Sequence, residues 1–303
     1  MKTNSAKNRE KFAAAFRDLN WHDPLERHAI ATEIIKFVVT DTYQQDMISQ
    51  VADMERFGPG EEIQFHIMDE LLAYVIEPGG YLPRTYLSKK VVTLPKHRVG
   101  VAVELDIKQL RSGRYGTIND IRRKVGEALL GSRNKLAWDT LFASVASGDA
   151  NYASFASGAS ADTKKAVLDA AVSYVHDNTN NGPMAIIGRW SALDWIEQID
   201  GSKWFSDNAR DQVLLQNGFL GFYKGVPIIR LRGYKDRDEE QKINPNHIMI
   251  VSQGTLKFGE VDPGLEVFDQ LRGTETLGWE IAFWEEYGAL VVEPERNYHI
   301  EIT

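Results

Sequence analysis

The 303 residues are 43% hydrophobic and 26% charged, proportions of a folded globular chain that has room for one large domain or two ordinary ones. With 35 Lys and Arg against 43 Asp and Glu the formal net charge is −8, which argues against a whole-surface nucleic-acid binder but leaves room for a local basic face. There are no cysteines, so disulfides, thiolate catalysis and cysteine-held metals are excluded; the apolar runs are too short to span a membrane, and the polar N-terminus lacks the core of a secretion signal.

In chain order, the first seventeen residues carry Lys2, Lys7, Arg9, Lys11 and Arg17 against Glu10 alone, with Phe12 and Phe16 four apart. They read either as a basic arm that meets phosphate or as a solvated tail. From Pro24 to Asp53 the apolar period is helical. It then changes to two: Ile63, Phe65 and Ile67 alternate with Gln64 and His66, and a second alternating strand runs through Val99, Val101, Val103 and Leu105. Pro78-Gly79-Gly80 and Pro83 mark a loop tip between them. Residues 54–106 therefore read as a long two-armed β excursion with little apolar content at its tip. Such a hairpin needs a surface to lie on, either another subunit or this chain's own core.

The stretch from Thr117 to Ala146 reads as one long helix of about 45 Å at 1.5 Å per residue. Thr117 and Asp120 fit a capping pattern. Ile118, Ile121, Val125, Leu129 and Leu136 form one stripe, and Leu130, Trp138, Leu141 and Val145 a second, so the helix is covered on more than one side. The small-residue run at 147–160 reads as a linker. Beyond it, a helix from Ala161 to His176, a strand at Met184–Ile187, a short helix at Leu193–Ile199 and strands at Val226–Leu231 and Ile248–Val251 describe a compact α/β region. The chain closes on Ile281–Trp284, Ala289–Val292, a turn at 293–297 and Tyr298–Ile302.

Catalytic signatures are missing. There is no phosphate-binding glycine loop, no dinucleotide fingerprint and no His-Glu-x-x-His. Gly158-Ala159-Ser160-Ala161-Asp162 misses the nucleophile elbow at its last position. Asp236-Arg237-Asp238-Glu239-Glu240 lacks the glycine and spacing of a calcium loop, and the seven histidines are scattered. The expectation is a non-enzyme with no catalytic, cofactor-binding or metal residues.

The order of parts resembles the major capsid proteins of tailed bacteriophages, the Hong Kong 97 fold, over nearly the whole chain. Three stretches carry the resemblance: Gly182-Pro183-Met184-Ala185-Ile186-Ile187 followed by Leu193-Asp194; Asn217-Gly218-Phe219-Leu220-Gly221-Phe222-Tyr223-Lys224-Gly225-Val226-Pro227-Ile228; and Trp284-Glu285 through Val292-Glu293-Pro294-Glu295-Arg296. The resemblance implies an α+β fold divided into an N-terminal arm (1–53), an extended β-hairpin E-loop (54–106), a peripheral domain with a spine helix (107–160), an α/β axial domain (161–274) and terminal strands returning to the peripheral domain (275–303). It implies a major capsid protein whose pentamers and hexamers build an icosahedral head in the virion, assembled in the host cytoplasm without a membrane. Lys2, Lys7, Arg9, Lys11 and Arg17 would face packaged double-stranded DNA non-specifically, and Tyr81, Arg84, Tyr86, Lys89 and Lys90 would contact a neighbouring subunit. The implied partners are further copies, a portal, and separate scaffolding or decoration proteins. In some members a loop lysine joins a neighbour's asparagine with help from a glutamate; Lys89, Lys90, Asn297 and Glu295 are the residue types required. An encapsulin-like protein nanocompartment shares the fold, and a two-domain α/β hydrolase is the alternative of another class.

Overall fold

The computed structural model describes residues 23–29, 31–32, 48–68, 89–106, 115–179, 182–198, 222–231, 243–261, 266–272 and 278–303. The expected basic arm and the tip of the β excursion lie outside them.

Two sheets and one long helix organise the chain. A helical turn at Ile48–Val51 leads into β1 (Asp53–Phe57), then β2 (Ile63–Met68), β3 (Lys89–Leu94) and β4 (His97–Asp106). The long helix α1 (Tyr115–Ser144) follows, then β5 (Tyr152–Phe155), α2 (Ala161–Asp177), β6 (Pro183–Arg189) and α3 (Trp190–Gln198). The remaining elements are β7 (Phe222–Tyr223), β8 (Val226–Leu231), β9 (His247–Ser252), β10 (Leu256–Val261), β11 (Glu266–Arg272), β12 (Gly278–Val291) and β13 (Tyr298–Ile302).

The six-stranded sheet has the order β5-β13-β9-β6-β8-β7. Its central strand β9, His-Ile-Met-Ile-Val-Ser, is buried throughout, so it shows the unbroken apolar run of a strand covered on both faces. Ile186, Ile228, Ile248 and Ile250 pack against Leu168, Ala171 and Val175 of α2 and Leu193 and Ile196 of α3. From the other face, Ala185, Ile187, Met249 and Val251 meet Ala137, Trp138, Leu141 and Val145 of α1. Helix α2 is capped by Ser160, whose Oγ accepts from the Thr163 backbone N–H at 3.2 Å.

The five-stranded sheet is built on β12. Strands β10 and β11 pair along one side of it, β4 along the other, and β1 adds in parallel to β10. Phe258 and Tyr287 from this sheet share the apolar cluster with the second half of α1. The one helix therefore covers part of both sheets, which is why its apolar surface is too wide for a single stripe. Val125, Leu129, Trp138, Leu141 and Val145 are all buried.

Four expectations are corrected. The partner of β2 is β3, in register from Ile63↔Leu94 to Met68↔Lys89, and not the strand through Val99–Leu105. That strand, β4, pairs with β12, so the hairpin spans 63–94 rather than 54–106. The 147–160 linker holds β5, which pairs in parallel with β13 and buries Phe155. Strands β10 and β11, placed by the sequence in the 161–274 unit, belong to the five-stranded sheet. The 275–303 unit is divided: β12 sits in the five-stranded sheet, while β13 is inside the six-stranded one between β5 and β9.

Candidate assembly elements

The hairpin β2–β3 is held by its root. Ile63 and Phe65 are buried with Val261 and pack against Phe57, Leu94 and Leu290. Phe57 meets Phe65 edge-on, with ring centroids 5.8 Å apart. Beneath Ile63 the sheet has no side chains, because Gly259 of β10 and Gly288 of β12 are cross-strand partners. A Cβ on Gly259 would lie 2.5 Å from Ile63 Cγ2 and 2.9 Å from Phe57 Cε2, and one on Gly288 would lie 3.2 Å from Ile63 Cδ1. Glycine within a strand is unfavourable for the strand itself, and here it permits a close approach. Farther out, His66, Lys90 and Val91 are exposed.

On the opposite face of the same strands, α1 is pinned by charge. Arg133 donates from Nε to Glu285 Oε1 at 2.8 Å and from Nη2 to Glu285 Oε2 at 2.7 Å, and from Nη2 to Glu260 Oε1 at 2.8 Å. All three side chains are buried. The bidentate fork fixes the rotation of the helix on the sheet.

The two sheets are joined through one polar knot. Three connections between them are described: α1 to β5, β9 to β10, and β12 to β13. Asn151 in the first donates from Nδ2 to the carbonyls of Pro294 and Asn297 in the third, at 2.9 and 2.8 Å. Asn297 Oδ1 accepts from the Ser252 backbone N–H at 3.2 Å, at the end of β9, and from Thr255 Oγ1 at 2.9 Å, in the second connection. Beside the knot, His247 Nδ1 and His299 Nε2 meet at 2.9 Å, one donating to the other. Phe142 of α1 lies edge-on to both rings, and Tyr152, which donates to Glu301, lies edge-on to His299. Burial and then the neighbouring His247 push His299 down to about 4, against the opposing pull of Glu301 and of the Val145 backbone. Burial also lowers His247, again opposed by Glu301.

Of the residues singled out by sequence, Lys2, Lys7, Arg9, Lys11, Arg17, Tyr81, Arg84 and Tyr86 lie outside the described residues. Lys89 opens β3 opposite Met68, and Lys90 is exposed opposite Ile67. Asn297 is fully buried with its side-chain oxygen engaged, so the cross-linking role that its residue type suggested has no surface asparagine at this position. The sequence reading missed Ile63 as a knob, the two glycines beneath it, and the Arg133 ion cluster. The signal for the glycines was present: single glycines inside LKFGEV and EEYGALV, each within an otherwise strand-like run. Among the described residues no group of His, Asp and Glu could hold a metal ion, and no helix is long and apolar enough to cross a membrane.

No family model and no curated protein matches the sequence. Solved structures do match. The capsid structure of Cyanophage P-SCSP1u is similar with a TM-score of 0.62 at 9% identity, covering 85% of this chain and 88% of that one. A chain from Mycobacterium phage Bobi gives 0.58 at 11% identity over 85% and 90%. The virus-like particle from Pyrococcus furiosus gives 0.54 at 16% identity over 88% and 96%. With its hairpin, its long helix and two sheets in this order, the chain has the α+β Hong Kong 97-type capsid fold.

Proposed function

We propose that the chain is the major capsid protein of a tailed bacteriophage, assembling in many copies into an icosahedral head around double-stranded DNA. The observation that carries this reading is the end-to-end similarity to phage capsid chains, which takes in 85% of this chain and 88% of the cyanophage subunit. In this reading β1, β4, α1 and β10–β12 form the peripheral part, and β5, α2, β6, α3, β7–β9 and β13 form the axial part that meets other copies at five-fold and six-fold positions. The hairpin reaches a neighbour through Tyr81, Arg84, Tyr86, Lys89 and Lys90. The basic arm lies inside, where Lys2, Lys7, Arg9, Lys11 and Arg17 neutralise phosphate without reading sequence. Shell strength then comes from many moderate interfaces closed by symmetry. Portal, scaffolding and decoration proteins belong to the same reading, as do assembly in the host cytoplasm and a structural rather than catalytic role.

The similarity to a virus-like particle supports a second reading, an encapsulin-like compartment, and the two differ in what the shell holds. Sedimentation velocity of the purified protein with absorbance at two wavelengths separates them. Megadalton particles that package DNA support the capsid reading. Megadalton particles that hold protein cargo and no nucleic acid favour the compartment. A small oligomer at every concentration contradicts both and reopens the hydrolase alternative.

A further inference from the structure

We propose that Gly259 and Gly288 form a socket in which Ile63 is the positioning residue, setting the direction in which the β2–β3 hairpin leaves the subunit and hence which surface of a second copy it meets. The proposal rests on the shell reading for its second half only; the socket itself is a property of the single chain.

Three observations converge on it. The glycines are directly opposite each other on β10 and β12, and both lack a side chain on the face where the hairpin sits. Ile63 is fully buried and touches both positions, Cγ2 above Gly259 and Cδ1 above Gly288. The floor of the socket is fixed from below, because Glu260, next to Gly259, is held on the other face by buried Arg133, which also grips Glu285 on β12. A methyl group added at Gly259 meets Ile63 Cγ2 at 2.5 Å, closer than real contacts allow, so something must move. The sheet is held by its ladders and by the ion cluster. The hairpin is held, among the described residues, by its root and its connections, so it is the hairpin that lifts. Strand β2 rises about 3.3 Å per residue, which puts Met68 roughly 17 Å beyond Ile63, and a small tilt at the root grows into a displacement of several ångströms farther out. A socket for one branched side chain thus acts as a sight for the whole arm.

The test compares Gly259→Ala, Ile63→Ala and the double variant with the unmodified protein. The readouts are the thermal midpoint, the rate of protease cleavage within residues 69–88 and the yield of closed particles. Gly259→Ala should keep the thermal transition of the body, raise hairpin cleavage about tenfold or more, and lower the yield of particles of normal size. The double variant should come closer to Ile63→Ala than to Gly259→Ala, since removing the knob leaves only the edge of the Phe57 ring, 2.9 Å from the added methyl, to give way. If Gly259→Ala fails to fold, Ile63→Ala decides, because it removes the knob and adds no clash: a folded body with a loosened hairpin and misassembled shells supports the proposal. Wild-type cleavage and wild-type particles in a folded Ile63→Ala or Gly259→Ala overturn it. Should the unmodified protein form no shell, the shell reading fails, while the cleavage rates still decide whether the socket positions the hairpin.

Discussion

His299 and His247 share a buried contact at 2.9 Å between the end of α1 and the six-stranded sheet, and both are pushed below the ordinary histidine value, His299 to about 4. The fold therefore favours the neutral rings. Their contribution to stability is complete above the unfolded value near 6.5 and is lost as the pH falls from there towards 4. The expected loss between pH 7 and pH 4 from His299 is about 2–3 kcal/mol in denaturant titrations. The pH-dependent part should shrink in His299→Gln, and NMR titration of the ring should place its midpoint well below 6; a midpoint near 6.5 contradicts the burial argument. Asn297 supports a different kind of residue-level prediction. Its side-chain oxygen serves the Ser252 amide and the Thr255 hydroxyl at the joint of the two sheets, so Asn297→Ala should cost about 2 kcal/mol by leaving buried donors unpaired. Equilibrium unfolding measures it directly, and Glu295→Ala, at an exposed neighbouring position, serves as the control.

At the scale of elements, Arg133 makes the clearest prediction. Arg133→Leu leaves the buried carboxylates of Glu260 and Glu285 without their guanidinium and should destabilise by about 3–5 kcal/mol, whereas replacing all three with apolar residues of similar volume should recover most of the loss. Unfolding free energies of the single and triple variants check both halves of the statement. The sequence showed α1 and α2 through their helical period, and β6, β8 and β9 as short apolar runs that one sequence window can reveal. It did not show that β12 is a single strand of 14 residues: Trp284 to Gly288 is too polar to read as strand, and those polar positions are taken up by Arg133, Arg98 and the hairpin seat. Strand β5 was hidden in a run of small residues, since its pairing with β13 is supplied by the end of the chain. The hairpin partner was misread because β4 alternates cleanly whereas β3, Lys-Lys-Val-Val-Thr-Leu, does not, and only Pro95 and Lys96 separate the two. Ladder partners are set by tertiary packing, which period alone does not encode.

For the whole molecule, the charge distribution makes a prediction of its own. The subunit is acidic overall, at −8, yet its first seventeen residues hold five basic side chains against one acidic one. Replacing Lys2, Lys7, Arg9, Lys11 and Arg17 with glutamine should leave the fold intact and weaken DNA retention in purified shells. The gap from the unmodified protein should be widest at low salt and narrow as salt rises, because counterion release drives such contacts. The architecture itself was legible from the order of parts, while the division of the last strands between the two sheets was not. The most direct test of the account is an electron cryomicroscopy reconstruction of particles purified from cells expressing the chain. The account predicts an icosahedral shell of pentamers and hexamers around DNA, with each hairpin lying across a neighbouring subunit and each basic arm on the inner surface. A small oligomer, or a closed shell whose hairpins fold back onto their own subunits, would contradict it.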